Sequence, residues 1–293
     1  MRKRYQTLLA LLCAAAFLVG SNRFAVSAEA AGTDEVSKTA SVVLTCTEVP
    51  LYIDDIDIGS GIVIDDVAYI PLLAFTECML RDKCSVEWEQ DSETARISSE
   101  LLDITLTIGE GYMTANERCI YLEDGAYNIN GTIVVPLRKL AWVFSLEPVW
   151  DGTTRAIYID SSGSEIIASG AEFYDAADLD WLSRVIYSEA GNQPLAGMIG
   201  VGNVVLNRVA DESGAFGDTV YDVIFQEGQF DVVSSGAIYL EPTERAVSAA
   251  KLCLEGCNTV GESKWFVNPA FCQTGWLSNQ TLAYIIGDHN FYA

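Results

Sequence analysis

One histidine, His289, is the whole imidazole complement of this chain of 293 residues. That scarcity excludes most chemistry built on imidazole-bound metals. A zinc-dependent hydrolase needs several histidine or carboxylate ligands around an open coordination position, and one histidine falls short. A cysteine peptidase needs a Cys–His pair. His289 is the single partner available to Cys272, and no orienting motif surrounds either residue. A zinc set of Cys253, Cys257, Cys272 and His289 can be drawn, but its spacing is loose and exported cysteines are free to form disulfides. No metal and no cofactor is expected, and His289, beside the Phe291–Tyr292 end, reads as structural.

Cations are the second shortage. Seventeen Lys and Arg face 41 Asp and Glu, for a net charge of −24. Such a chain repels phosphate polymers, which excludes nucleic-acid binding. It also cannot adhere to an anionic wall by charge, so a polysaccharide would be held by hydrogen bonds and aromatic faces. Long apolar runs are the third. Leu8 to Val19 is too short to span a bilayer comfortably, and no later segment resembles a membrane helix. With Arg2, Lys3 and Arg4 before it and Val26-Ser27-Ala28 after it, this run reads as an export signal over residues 1–28. Cleavage after Ala28 leaves 265 of the 293 residues and, with four cations lost and no acid, takes the charge from −24 to −28. Of eight cysteines, Cys13 leaves with the signal. The seven that remain are an odd number, so at least one is unpaired or intermolecular.

What is present falls into two textures. After a polar spacer at residues 29–41, residues 42–160 read as strands with short helices, and the pattern repeats. The first unit runs Ala68 to Phe75, Val86 to Trp88 and Ala95 to Ile97; the second runs Ile133 to Phe144, Pro148 to Trp150 and Arg155 to Ile159. Each reads as a strand, a proline at a helix start (Pro71, Pro136), a short helix, then a strand carrying tryptophan. Leu102 to Gly109 alternates like a half-buried strand, and Asn130-Gly131 signals a turn. Residues 161–175, rich in Ser and Gly at first, are expected to be a linker. From 176 to 293 the pattern turns helical. Asp175 or Asp178 can cap a helix that Gly191 stops, Pro194 opens a second, and Pro242 opens a third. Gly200 and Gly202 permit close helix contact. The fold class is therefore α+β.

The first of these helices carries the main chemical clue. Leu182, Val185 and Ile186 fall at i, i+3 and i+4, and Glu189 follows at i+7 on the same apolar stripe. A carboxyl group in a poorly hydrated place resists ionisation and can hold a proton near neutral pH, as a general acid must. Helix geometry alone leaves a second reading open, in which Glu189 ends the stripe and reaches water past Gly191.

Residues 42–160, with their tandem Pro-Leu…Trp pattern, resemble the copper amine oxidase N-terminal-like domain. The resemblance implies a small antiparallel sheet around a helix, serving as an accessory module with a possible envelope partner. It implies no copper, since the region has no histidine. The second half has, in order, Tyr187-Ser-Glu-Ala190, Pro194, Val204-Val-Leu-Asn-Arg-Val209, Val223 to Phe230, Asn268-Pro269, Trp276 and Gly287 to Tyr292. This succession resembles the SleB/CwlJ cell-wall hydrolases, known for degrading spore-cortex peptidoglycan. The family implies a lysozyme- or transglycosylase-like α+β domain, peptidoglycan glycan strands as substrate, and Glu189 as the catalytic residue. Relatives usually carry another acid just before the proline, where this chain has Gln193. A wall-binding protein that has lost its chemistry is the alternative that this departure leaves open.

Cleaving a glycosidic bond requires a proton on the leaving oxygen, and hydrolysis normally adds a second carboxylate. A lytic transglycosylase needs only one, because the muramic 6-hydroxyl attacks internally and the same glutamate removes its proton. No second buried acid is evident; Asp218, Glu227 and Asp231 all lie in turn-like segments. Transglycosylation of the MurNAc–GlcNAc bond is therefore expected. Gln226 and Gln229 flank Gly228 in a turn and are the candidates for hydrogen bonds to substrate. Phe230, Trp276 and Tyr292 are candidates for stacking on sugar rings, although aromatic residues also dominate cores. Asn207 and Arg208 read as structural.

Overall fold

The computed structural model describes residues 23–26, 42–81, 84–271, 274–277 and 279–293. Most of the expected signal, the spacer at 29–41 and Cys272 lie outside the described residues. The chain divides into two compact units between Ser169 and Gly170.

In the first unit, β1 (Arg23–Val26), β2 (Val42–Ile53), β3 (Ile56–Ile64) and β4 (Val67–Pro71) lead into helix α1 (Leu72–Leu80). A meander follows, comprising β5 (Ser85–Glu89), β6 (Thr94–Ser98), β7 (Asp103–Thr107), β8 (Tyr112–Ala115) and β9 (Arg118–Tyr121). Then come β10 (Tyr127–Ile129), β11 (Thr132–Pro136), helix α2 (Leu137–Val143), β12 (Val149–Asp151) and β13 (Ala156–Ile159). The larger sheet is ordered β10-β11-β4-β3-β2-β13-β12, with β1 on β2, and the meander forms a second sheet. β1 lies inside the expected signal and pairs with residues 42–45. The pairings are antiparallel except that of β13 with β2, which is parallel.

The tandem repeat is visible in this topology. β4 and β11 each end in a proline that precedes a helix, Pro71 at φ −61° and Pro136 at φ −54°. Proline's fixed φ suits helix entry, and its missing N–H is one the first turn leaves unpaired anyway. The two strands pair, with Val134 opposite Pro71 and Pro136 opposite Tyr69. Trp88 lies opposite Ala95 in one repeat and Trp150 opposite Ile157 in the other. Phe75 and Phe144 meet edge-on at 6.0 Å within one core shared by both repeats. Asn130 and Gly131, both at positive φ, make the two-residue turn between β10 and β11.

The segment expected as a linker is tied down along its first part. The Ser161 N–H and hydroxyl both bond Asp54, the Glu165 N–H donates to the Phe144 carbonyl at 3.1 Å, and the Ile167 N–H donates to that of Val143 at 3.0 Å. Ile167 is buried in the core of the first unit. Ser/Gly composition signals a break in regular structure, but here the irregular backbone still finds partners.

The second unit is mainly helical: α3 (Gly170–Phe173), α4 (Ala176–Ala190), α5 (Leu195–Val209), α6 (Val220–Phe225), α7 (Asp231–Ser235) and α8 (Glu244–Leu254). A small sheet of β14 (Trp265–Val267), β15 (Leu282–Ile286) and β16 (His289–Tyr292) is ordered β14-β16-β15. Asp175 caps α4, accepting from the N–H groups of Ala177 and Asp178 at 2.9 and 3.0 Å. Gly191 follows this helix without the left-handed turn expected of a glycine stop, since its φ is −61°. Its missing Cβ has a different reason: a Cβ there would lie 2.6 Å from the Tyr187 carbonyl oxygen. Thr243, not Pro242, caps α8, accepting from the Ala246 N–H.

α5 packs against both α4 and α8 and buries Met198, Ile199, Val201, Val204 and Val205. A Cβ on Gly202 would stand 2.6 Å from Cys253 Sγ and 2.9 Å from Ile186 Cδ1, and one on Gly200 would stand 2.8 Å from Phe291 Cζ. These contacts set the spacing of the helices that carry the site. Gly202→Ala is expected to destabilise the second unit by about 1–3 kcal/mol, read as a lower melting temperature. Adding Cys253→Ala should recover part of that loss; simple additivity of the two substitutions would show that the contact does not set the spacing.

Candidate active site

Glu189 lies in the last turn of α4, on the stripe that buries Leu182, Val185 and Ile186. It is only partly exposed. Burial raises its carboxyl pKa from 4.5 to about 7; the nearby Asp231 carboxylate adds to the rise and the Arg208 guanidinium opposes it. The negative end of the α4 dipole acts in the same direction as burial. At neutral pH this group therefore divides between acid and base, as a proton donor that must later accept requires.

Arg208, read from sequence as structural, sits at the other side of this balance. It is 4% exposed, and its Nε donates to the Lys264 carbonyl at 2.7 Å. Its Cζ stands 5.2 Å from the ring centres of both Phe216 and Phe230. Burial lowers its pKa to about 10, against the pull of Glu189. Asn207 is structural as expected, donating to the Gly261 and Ser263 carbonyls at 2.7 and 2.8 Å. The helical period marks Arg208 only as a charged residue on a buried face, and its partners come from segments far away in sequence.

Gln226 and Gln229 flank a turn in which Gly228 has φ 76°. Gln226 Nε2 donates to the Ala215 carbonyl at 3.1 Å, while its buried Oε1 meets no donor among the described residues. Gln229 is partly exposed. Phe230 and Tyr292 depart from expectation. Phe230 is buried against Arg208 and Phe266, and Tyr292 is buried with Val267 and Leu277, so protein covers the rings that were to stack on sugar. Trp276 lies in a short 3-10 turn, and its side chain is outside the described residues. More exposed rings occur elsewhere, although Tyr221 stacks one face on Phe225 at 4.3 Å. Trp181 packs edge-on against Tyr221, Phe225 and Tyr239, and Tyr221 and Tyr239 are exposed. Trp181, Arg184, Val185, Ser188 and Glu189 share one helical stripe.

Gln193 is buried against Asp288. Its Oε1 accepts the Asp288 N–H at 2.9 Å and its Nε2 donates to the Asp288 carboxylate at 3.1 Å. A carboxylate at this position could not donate and would face a second carboxylate, so an amide suits this neighbourhood. Asp218, Glu227 and Asp231 are all exposed, and of the three Asp231 acts on Glu189. His289 is buried between Phe266 and Phe291; burial lowers its pKa and Asp288 partly opposes that. Cys253 donates its S–H to the Ile199 carbonyl at 3.3 Å. Among the described residues, no group of three or more His, Cys, Asp or Glu could hold a metal ion.

The sequence profile of the copper amine oxidase N-terminal domain matches residues 48–159, and that of the cell wall hydrolase family matches residues 192–292, starting just after Glu189. A spore cortex-lytic enzyme of Oceanobacillus iheyensis is 33% identical over 40% of this chain and 42% of its own. The chain thus spans less than half the length of that relative. The solved catalytic domain of the germination-specific lytic transglycosylase SleB from Bacillus anthracis is 31% identical, with a TM-score of 0.39, over 43% of this chain and 100% of that one. The cell wall hydrolase CwlJ of Bacillus subtilis is 30% identical over 40% of this chain and 85% of its own length. With most of CwlJ covered at that identity, the chain belongs to the cell wall hydrolase family.

Proposed function

We propose that this chain is an exported enzyme that cuts the MurNAc–GlcNAc bond of peptidoglycan as a lytic transglycosylase. The observation that carries the reading is a partly buried carboxyl, Glu189, poised at about 7. The protonated carboxyl gives its proton to the leaving glycosidic oxygen as positive charge builds on the muramic ring. The resulting carboxylate then takes the proton of the muramic 6-hydroxyl as that oxygen bonds to C1, which closes a 1,6-anhydro ring and restores the acid. Gln229, partly exposed beside Gly228, offers its side-chain amide to an acetamido group. Tyr221 and Tyr239 offer ring faces for pyranose stacking in place of Phe230 and Tyr292. Two relatives, a spore cortex-lytic enzyme and a cell wall hydrolase, support peptidoglycan as substrate. The first unit serves as an accessory module toward an envelope partner. Purified protein should release soluble muropeptides from peptidoglycan, identified by mass spectrometry; intact glycan after incubation with folded protein would sink the reading.

Turnover should be indifferent to excess chelator. The one imidazole packs against Phe266 and Phe291, Cys253 is committed to a backbone carbonyl, and among the described residues no group of three or more His, Cys, Asp or Glu could hold a metal ion. Activity lost to chelator and restored by zinc would revive an amidase reading.

A further inference from the structure

We propose that Arg208 is a positioning residue, whose free guanidinium N–H stabilises the ionised form of Glu189 between its two proton transfers. This rests on the reading of Glu189 as the catalytic acid. The geometry begins with a clamp. Phe216 and Phe230 hold the guanidinium at 5.2 Å from each ring centre, and the Lys264 carbonyl fixes Nε at 2.7 Å. Lys264 is itself anchored by an ion pair with Asp211. The side chain therefore has little freedom to turn. Yet Nη1 is buried and, among the described residues, meets no acceptor. A buried charged donor without an acceptor is costly, of the order of 1–3 kcal/mol or more. The anion whose charge acts on this guanidinium is the Glu189 carboxylate, which is present once the acid has given up its proton.

Several other charges on α4 and on the helices packed against it have partners of their own. Asp180 and Arg184, on its own helix, pair with each other at 3.0 Å. Asp222 of α6 accepts from the Thr219 hydroxyl, and Lys251 of α8 lies over the Tyr174 ring. Asp231, at the start of α7, is the acid acting on Glu189 and favours its protonated form; Arg208 is the cation acting on it and favours the ionised form. The two set opposite limits on one carboxyl. Without Arg208, the carboxylate left after protonation of the leaving oxygen would stand in a partly buried place facing an anion alone.

The test is the pH profile of Arg208→Gln and Arg208→Lys on peptidoglycan, with Glu189→Gln as control. Loss of the cation should move the falling limb of activity to higher pH by about one unit and lower maximal turnover about tenfold. The lysine variant should keep the limb near its parental pH and recover part of the rate. A purely structural role would lower the rate equally at every pH with the limb unmoved, and that result would overturn the proposal. A second measurement needs no Arg208 variant. In the parent protein, the nitrogen signals of the Arg208 guanidinium should titrate with the Glu189 midpoint, and this response should vanish in Glu189→Gln. Signals that stay flat through that midpoint also overturn the proposal. If Glu189→Gln cleaves as fast as the parent, the reading of the acid fails instead, while the titration still reports whether the two groups are coupled.

Discussion

Glu189→Gln is expected to lower turnover on peptidoglycan by a factor of about a hundred or more, while the second unit stays folded. Glutamine keeps the size of the side chain and can still hydrogen-bond, but it can neither deliver nor recover a proton. The same substitution should make the protein more stable at neutral and alkaline pH. The carboxyl has a pKa of about 7 in the folded chain against an ordinary 4.5, so between these values the folded state holds a proton that the unfolded state has released. Parental stability, relative to the glutamine variant, is therefore full below pH 4.5 and falls as pH rises toward about 7. The total loss is about 3 kcal/mol, from a shift of 4.5 to about 7. Urea unfolding of both proteins across pH 4 to 9 reads this directly. Equal stabilities at every pH would mean that the carboxyl is hydrated in the folded state, and parental activity in the variant would reduce Glu189 to a helix-end glutamate.

Some of this was legible in the sequence because it is periodic. The apolar stripe that leads to Glu189 follows the 3.6-residue repeat of a single helix, and the strand–proline–helix units recur within one chain segment. Gly200 and Gly202 also read correctly, since glycine on a buried helix face has few other uses. What depended on distant segments was not legible. Arg208 acts on Glu189 from α5, Asp231 acts on it from α7, and no local pattern joins them. Phe230 and Tyr292 show the converse. An aromatic residue beside a polar turn reads equally well as a platform or as core, and only the packed neighbours decide. Along Ser161 to Ile167 composition reports the loss of regular structure without saying where the backbone hydrogen bonds go.

Parental digestion should yield glycans ending in 1,6-anhydro-MurNAc rather than in reducing muramic acid. Hydrolysis needs a carboxylate to activate water on the far side of the sugar from the acid. Asp218 and Glu227 are exposed and do not act on Glu189, which leaves Asp231 as the one candidate of the three. Asp231 is also exposed, in the first turn of α7, and its charge raises the pKa of Glu189. If repulsion is its whole contribution, Asp231→Asn lowers that pKa. The falling limb of activity should then move to lower pH, with maximal turnover within about tenfold of parental and the anhydro product unchanged. If Asp231 instead activates water, parental products carry reducing ends, heavier by one water, and Asp231→Asn loses turnover at every pH. Mass spectrometry of the products and the pH profile of the variant thus separate transglycosylase from hydrolase. Reducing ends from the parent protein would overturn the single-carboxylate mechanism while leaving Glu189 as the acid.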